Sequence, residues 1–503
     1  MDFLDLPPEI IDVILDLSCP LGIEGLVLTC KALYGRAKSQ IERHNTLRRR
    51  WKHTTNFETG RLDDTLGILY EIALDPLAAE YIETLDLWDE RGIEAEDVDL
   101  LDFRDDHTAM EKVNDLVTTL PFLKSVGIDA EKWWRKIVQE EDERVEEDSI
   151  GVSYTTVTLL ALLPNLKFLR LDPGWKNITP ELGPGDETLL AGLNAISLSA
   201  RDANHTSERP LSKLKTFLPF MNKGYEEKTA LQTVQPFLEL ESLEEIYLVS
   251  AVAVEDGYTG FPFKWQPYND ITLSLTRVEL SSCCMDADGI AALVSHTPSL
   301  SIFRYSHEMK WEGCQYDWNA GLFVEALARY CGSTIIEMAI TIDDLLGEIV
   351  NGASSFLSFP RLELLELDVR VFCGPPVESG QQLGQNSFIP EGQQPWSYSD
   401  IPCVGSMVPK SIKECMINTD FPEPDETALN RLLKNLRTQR LERLHNLERV
   451  IVRQYTGESA RVFVERAGAT LETFDPHVEN PRARSRMPLW KRNFEERIAM
   501  LLT

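Results

Sequence analysis

One phrase recurs through most of this chain and limits what it can fold into: L-x-x-L-x-L, whose last three positions alternate like a half-buried strand. The clearest copies are Ile82/Leu85/Leu87, Leu166/Leu169/Leu171, Leu193/Ile196/Leu198, Leu243/Ile246/Leu248, Leu275/Val278/Leu280, Leu362/Leu365/Leu367 and Leu447/Val450/Val452. Weaker copies start at Leu123, Leu300, Ile335, Ile412 and Leu471, so the phrase returns twelve times, at intervals of about 24 to 50 residues. Amphipathic helical stretches lie between the copies. TAMEKVNDLVTTL opens with Thr108 and Glu111 in capping-box spacing and aligns Val113, Leu116, Val117 and Leu120, and DETALNRLLKNLRTQRLERL aligns Leu429, Leu432, Leu433 and Leu436. A unit of strand, turn and helix can bury its apolar faces only against its neighbours. The expectation is therefore an α/β chain stacked as an irregular right-handed solenoid over residues 81–480. Interruptions are expected at about 137–150, 172–188 and 373–409, the last rich in Gly, Pro and Gln and expected to be a flexible insertion.

Residues 1–50 have a different pattern. In DLPPEIIDVILDL, Pro7 and Pro8 suit a first helical turn, Glu9 suits the positive end of the helix dipole, and Ile10, Val13, Ile14 and Leu17 form one apolar stripe. A second apolar stretch, GLVLTCKALYG, precedes the basic run RHNTLRRRWKH. A unit of roughly 40 residues buries too little surface to stand alone, so it is expected to lean on a partner or on the next part of the chain. Residues 51–80 read as a helical connection, and residues 481–503, basic and then amphipathic, as a cap on the open end of the array.

Charge and motif content narrow the functional classes. The formal net charge of −31 opposes binding to a phosphate backbone, so nucleic acid is not an expected partner. The opening residues are acidic where a secretory signal would be basic, and no apolar run reaches the roughly 18 residues that span a bilayer. The expected location is intracellular, cytosol or nucleus, with no membrane partner. The nine cysteines lack C-x-x-C spacing and are expected to be reduced and mostly buried. Walker, nucleophile-elbow, zincin and kinase signatures are absent, and neither a cofactor nor a metal is expected. Asp286-Ala287-Asp288-Gly289 looks like the start of a calcium loop but lacks the later ligands, and a repeat turn explains it as well. Trp133 and Trp134 could anchor an interface; packing against a neighbouring helix is the preferred reading.

The N-terminal unit resembles an F-box: Leu6, Pro7, Glu9, Ile10, Ile14, Leu26, Leu28, Cys30, Lys31 and Tyr34 fit that pattern, with Tyr34 standing where the family usually has Trp. The resemblance covers less than a tenth of the chain, and what it implies is docking of these residues to the small Skp-family adaptor of a cullin-RING ubiquitin ligase. LTRVELSSCCMDADGIAALVSHTPSL is similar to a cysteine-containing leucine-rich repeat, with Leu275, Val278, Leu280 and Cys283 in L-x-x-L-x-L-x-x-C and Asp288, Gly289, Ile290, Leu293, Pro298 and Leu300 continuing it. Together they imply a small all-α F-box followed by a leucine-rich-repeat solenoid, of the kind found in divergent fungal F-box proteins. The implied function is that of a non-catalytic substrate receptor. Residues alternating with the buried leucines, Trp88, Arg170, Tyr247, Glu279, Arg304, Glu366, Asp368 and Arg453, are expected on an open concave face. Trp88, Arg170, Tyr247 and Arg304 are the candidates for contact with an unknown protein target. A scaffold acting outside protein degradation is the alternative, and an unrecognised enzyme the remote one.

Overall fold

The computed structural model describes residues 3, 6–58, 61–62, 65–89, 107–143, 153–178, 186–201, 209–255, 261–265, 271–311, 314–419, 426–454, 460–473 and 487–502. The chain divides into two compact units, Met1–Gly174 with Glu187–Leu214, and Trp175–Asp186 with Lys215–Leu501.

The first unit opens with four helices, α1 (Pro8–Leu17), α2 (Ile23–Val27), α3 (Lys31–Arg36) and α4 (Lys38–Trp51). Ile11, Leu15, Ile23, Val27, Leu33 and Ala37 form their shared core. Strand β1 (His53–Thr55) comes next, then a short antiparallel pair, β2 (Phe57–Glu58) and β3 (Arg61–Leu62). β1 pairs in parallel with β4 (Thr84–Asp86), and β4 with β5 (Phe168–Arg170). Helices Ala130–Glu143 and Ser153–Leu160 pack through Trp133, which is fully buried, meets Phe122 and Tyr154 edge-on, and donates from Nε1 to Thr158 Oγ1 at 2.8 Å. The packing reading of this tryptophan is the right one.

The second unit contains β6 (Thr216–Phe217), β7 (Thr229–Ala230), β8 (Glu245–Val249), β9 (Ala251–Ala253), β10 (Arg277–Met285), β11 (Ile302–Glu308), β12 (Glu337–Asp344), β13 (Leu364–Asp368), β14 (Glu414–Asn418), β15 (Arg449–Gln454) and β16 (Thr470–Thr473). All are parallel. β6, β8 and β10 to β16 pair in chain order, while β7, β9 and the end of β10 form a side ladder. Ser250 and Ser282, with φ of 55° and 54°, turn the chain at the two points where this side ladder branches from the main one. The register aligns Val278, Phe303, Met338, Leu365, Cys415 and Val450 in one buried row, and Leu280, Tyr305, Ile340, Leu367, Ile417 and Val452 in a second on the same face. Residues two apart on a strand share a face, so these rows are the physical content of the recurring leucine phrase.

The expected small all-α F-box followed by an irregular right-handed leucine-rich-repeat solenoid is corrected by this architecture. Among the described residues the fold is α/β with fourteen parallel strands, three in the first unit and eleven in the second, and no constant unit repeats along them. One helix, Ala287–Val294, joins β10 to β11, and another, Ala320–Cys331, joins β11 to β12. No helix stands between β12 and β13, and two, Glu426–Leu432 and Leu436–Glu442, stand between β14 and β15. The second face of the sheet is also buried where an open surface was expected. Glu279, Ala339, Glu366, Met416 and Ile451 occupy that face and are buried. Parallel sheets are ordinarily covered on both sides.

Three local readings change as well. Leu193/Ile196/Leu198 lies in the helix Glu187–Arg201 and Leu123 in the helix Pro121–Ser125, while β6 occurs where no phrase was recognised. The stretch 373–409 is tied down rather than flexible. Asn351 Nδ2 donates to Pro375 O and Gln381 O at 3.0 and 2.7 Å, and the buried Gln381 side chain bonds Gln393, Gln394 and Trp396. The interruptions near 137–150 and 172–188 fall partly outside the described residues; what is described belongs to the helix Ala130–Glu143, the 3-10 turn Pro173–Ile178 and the start of the helix Glu187–Arg201.

Candidate functional site

Two surfaces carry the residues singled out in the sequence. The first is the four-helix head. α1 starts with Pro8 inside its first turn and Glu9 beside it, as its sequence dictates. Yet it turns Ile11 and Leu15 into the core, so the stripe of Ile10, Val13 and Leu17 faces solvent at 47%, 51% and 79% exposure. Leu21, Leu28 and Tyr34 are exposed too. Pro7, Glu9, Cys30 and Lys31 are exposed, while Leu6, Ile14 and Leu26 are half-buried, Leu6 and Leu26 against the head's core. Arg36 clamps α3 to α1 through a bidentate pair with Asp12 at 2.9 and 2.7 Å and a bond to Pro8 O at 2.8 Å.

A cavity of about 170 Å³ opens near Leu21, Glu24, His44, Arg48, Tyr81 and Lys213. Several of its polar groups pair with one another. Arg48 pairs with Glu24, Lys167 with Glu83 at 3.0 Å, Lys213 with Asn165 at 2.5 Å, and His44 Nδ1 with the Tyr81 hydroxyl at 2.8 Å. Burial, reinforced by Cys19, pushes that hydroxyl above its ordinary pKa.

The second surface is, in each unit taken separately, the sheet face opposite the buried leucines. In the first unit Trp88 and Arg170 come together, with the guanidinium 4.4 Å from the indole centroid and paired with Asp86. Asn56 fixes the Trp88 backbone, accepting from its N–H at 2.6 Å and donating to its carbonyl at 3.0 Å. In the second unit Arg304 lies between Glu279 and Glu337, at 3.2 and 2.9 Å. Asp368 is buried, and Arg453 is buried beside Glu366 and Asn418. Tyr247 is fully buried.

What buries Tyr247 is the helix Leu489–Leu501, which lies on this face instead of capping an end. Phe494 packs 5.8 Å from the Tyr247 ring, and Arg497 bonds the Tyr247 hydroxyl and both Glu245 oxygens, the latter at 2.8 and 2.9 Å. The Glu366 carboxylate accepts the free N–H groups of Leu489 and Trp490 at 2.8 and 3.0 Å, a cap supplied by another element. Trp490 Nε1 donates to Thr341 at 3.1 Å, and Lys491 Nζ reaches Asp343 at 2.5 Å and Ser282 at 3.2 Å. Burial pushes Asp343 up, but Lys491 and the hydroxyls of Ser306 and Ser282 outweigh it and hold the carboxyl below its usual range. Burial and the neighbouring Glu245 push the Tyr247 phenol up. The Trp490/Phe494/Arg497 spacing was visible as an amphipathic helix; the face that receives it, built from β8, β10, β12 and β13, was not.

All nine cysteines are free and six are buried. Cys283 accepts from Ala251 N–H at 3.3 Å, and burial pushes its thiol up to about 12, so it acts as a small packing group. Among the described residues no cluster of three His, Cys, Asp or Glu could hold a metal ion, and no helix is long and apolar enough to cross a membrane. No protein-family model matches the sequence, and no curated protein matches it.

Proposed function

We propose that this chain is a non-catalytic, intracellular receptor of a ubiquitin ligase, docked through α1–α3 to a Skp-family adaptor of a cullin-RING complex. The observation that carries the reading is the set Ile10, Val13, Leu17, Leu21, Leu28 and Tyr34, left in solvent by a head whose own core closes without them. Burying each such side chain is worth roughly 1.5 to 3 kcal/mol, and apolar patches of this kind mark interaction sites. Ile10, Leu28 and Tyr34 also belong to the residues that resemble an F-box. The receptor contributes proximity: a target lysine held near the charged enzyme reacts at a raised effective concentration, with no catalytic group from this chain.

The test is binding of the full chain to the purified adaptor. Wild type should bind, and Ile10→Asp with Leu28→Asp should weaken binding about 100-fold at unchanged circular dichroism. No binding by wild type, or equal binding by the double variant, removes the proposal. Turnover is read separately in cells: deleting residues 1–45 should raise the abundance of captured proteins, whereas unchanged abundance would indicate a scaffold.

A further inference from the structure

We propose that the sheet face under the helix Leu489–Leu501 is the partner-binding face of this protein, and that the helix is its internal, exchangeable occupant. The partner is a protein segment forming a basic amphipathic helix, with an aromatic ring, an ammonium, a second ring and a guanidinium at the spacing of Trp490, Lys491, Phe494 and Arg497. This names the target class of the receptor described above and takes its biological meaning from that reading. The exchange itself involves no adaptor.

The chemistry of the face selects such an occupant. Three carboxylates converge on it: Glu366 on the helix N-terminus, Asp343 on Lys491 and Glu245 on Arg497. Glu245 and Glu366 also have Arg277 and Arg453 of the sheet at 3.6 and 3.7 Å, whereas among the described residues the ion pair of Asp343 is with Lys491, so an occupant that covers this face must bring a cation to Asp343. The apolar contribution is concentrated in Trp490 and Phe494, both buried. Aromatic and cationic anchors seated on buried acids are the side chains that dominate protein interfaces. In a chain with a net charge of −31, the stripe of the last helix is a local basic element matched to a local acidic face.

The fit also leaves room. A cavity of about 100 Å³ lies beside the N-terminal turn of the helix, lined on the sheet side by Arg304, Glu337, Met338, Leu365, Glu414 and Met416. The helix contributes Leu489, Trp490 and Asn493 to its edge without filling it. A partner helix with a larger side chain at the position of Asn493 could fill this space, beside Glu337 and Glu414, which Arg304 and Arg449 already pair. That gives a foreign helix contacts the internal one lacks, which is what displacement requires.

The experiment uses the full chain and a fluorescein-labelled peptide of residues 487–502 as probe. Trp490→Ala with Arg497→Ala weakens the internal helix, so the variant should bind the probe at least about tenfold more tightly than wild type. A probe carrying Lys491→Glu and Arg497→Glu should bind neither protein. Binding by neither protein of the native probe, or binding insensitive to charge reversal, overturns the proposal. Should the variant fail to fold, hydrogen exchange on the wild-type chain decides. Amides of 491–501 exchanging by local opening, at least about 100-fold faster than those of β10–β12, support the proposal; exchange only with global unfolding overturns it. Loss of adaptor binding would leave every one of these outcomes unchanged.

Discussion

His307 shows how far a buried position can move a side chain's chemistry. Its ring stacks on Trp318 at 4.4 Å and 9°, and Nδ1 is 2.9 Å from the Tyr305 hydroxyl. Burial lowers its pKa to about 3 from an ordinary 6.5; Asp343 pulls it up, and Lys310 and Arg370 push it down. A folded-state value below the unfolded one means that the unfolded chain takes up the proton first. The associated stability is therefore present above pH 6.5 and is lost as pH falls from 6.5 towards 3, by an amount on the order of 5 kcal/mol. Urea unfolding from pH 7 to 4 should show this loss in wild type and a shallower one in His307→Phe; equal slopes would remove the account. Gly289 makes a second residue-scale case. Asp286 caps its helix by accepting from Gly289 N–H at 2.6 Å, and the cap draws the backbone so close to β9 that an added Cβ would lie 2.1 Å from Ala253 O. Gly289→Ala should cost about 3 kcal/mol in urea unfolding, since backbone on the other side cannot rotate away. The glycine was visible in the sequence as part of a turn, but the approach of β9, which makes it necessary, was not.

At the scale of elements, the sequence identified most strands of the second unit and misassigned elements where its pattern fits two structures equally. Apolar residues at i and i+3 suit both the leucine phrase and a helix, so Leu193/Ile196 could not choose between them. The surrounding ETLLAGLNAISLSAR, rich in Ala and Leu, decides for helix. β6 escaped because Phe217 stands where a leucine was sought, after Leu214. α1 poses the same ambiguity on its own surface. Ile10, Ile11, Val13, Ile14, Leu15 and Leu17 supply apolar side chains on more than one face, and the helix sequence alone cannot say which face turns inward. α2 and α3 decide it by packing Ile23, Val27 and Leu33 against Ile11 and Leu15. The consequence is measurable. Leu15→Ala should destabilise by about 2 to 5 kcal/mol, whereas Leu17→Asp should leave stability within about 0.5 kcal/mol. A large loss for Leu17→Asp in the isolated chain would mean that this face is already covered by the protein itself.

Across the chain as a whole, the order of contacts separates two kinds of structure. Strand neighbours in β10–β13 lie about 25 to 35 positions apart, close enough for each strand to join its predecessor as the chain collapses. The helix Leu489–Leu501 reaches back 123 to 252 positions, to Glu366, Thr341, Asp343, Tyr247 and Glu245. Its receiving face exists only after β8, β10, β12 and β13 have paired, because no single strand carries all of its acceptors. The leucine phrase made the local pairing legible; a relation between Trp490 and a face assembled from four distant strands leaves no pattern in any one segment. The helix must therefore dock late, after the transition state for forming the sheet. Phe494→Ala should accelerate unfolding and leave the refolding rate of the sheet unchanged, giving a φ-value near zero, while Leu280→Ala in β10 should slow refolding. Stopped-flow chevrons measure both, and a slowed refolding limb for Phe494→Ala would show that the helix helps to build the face it covers.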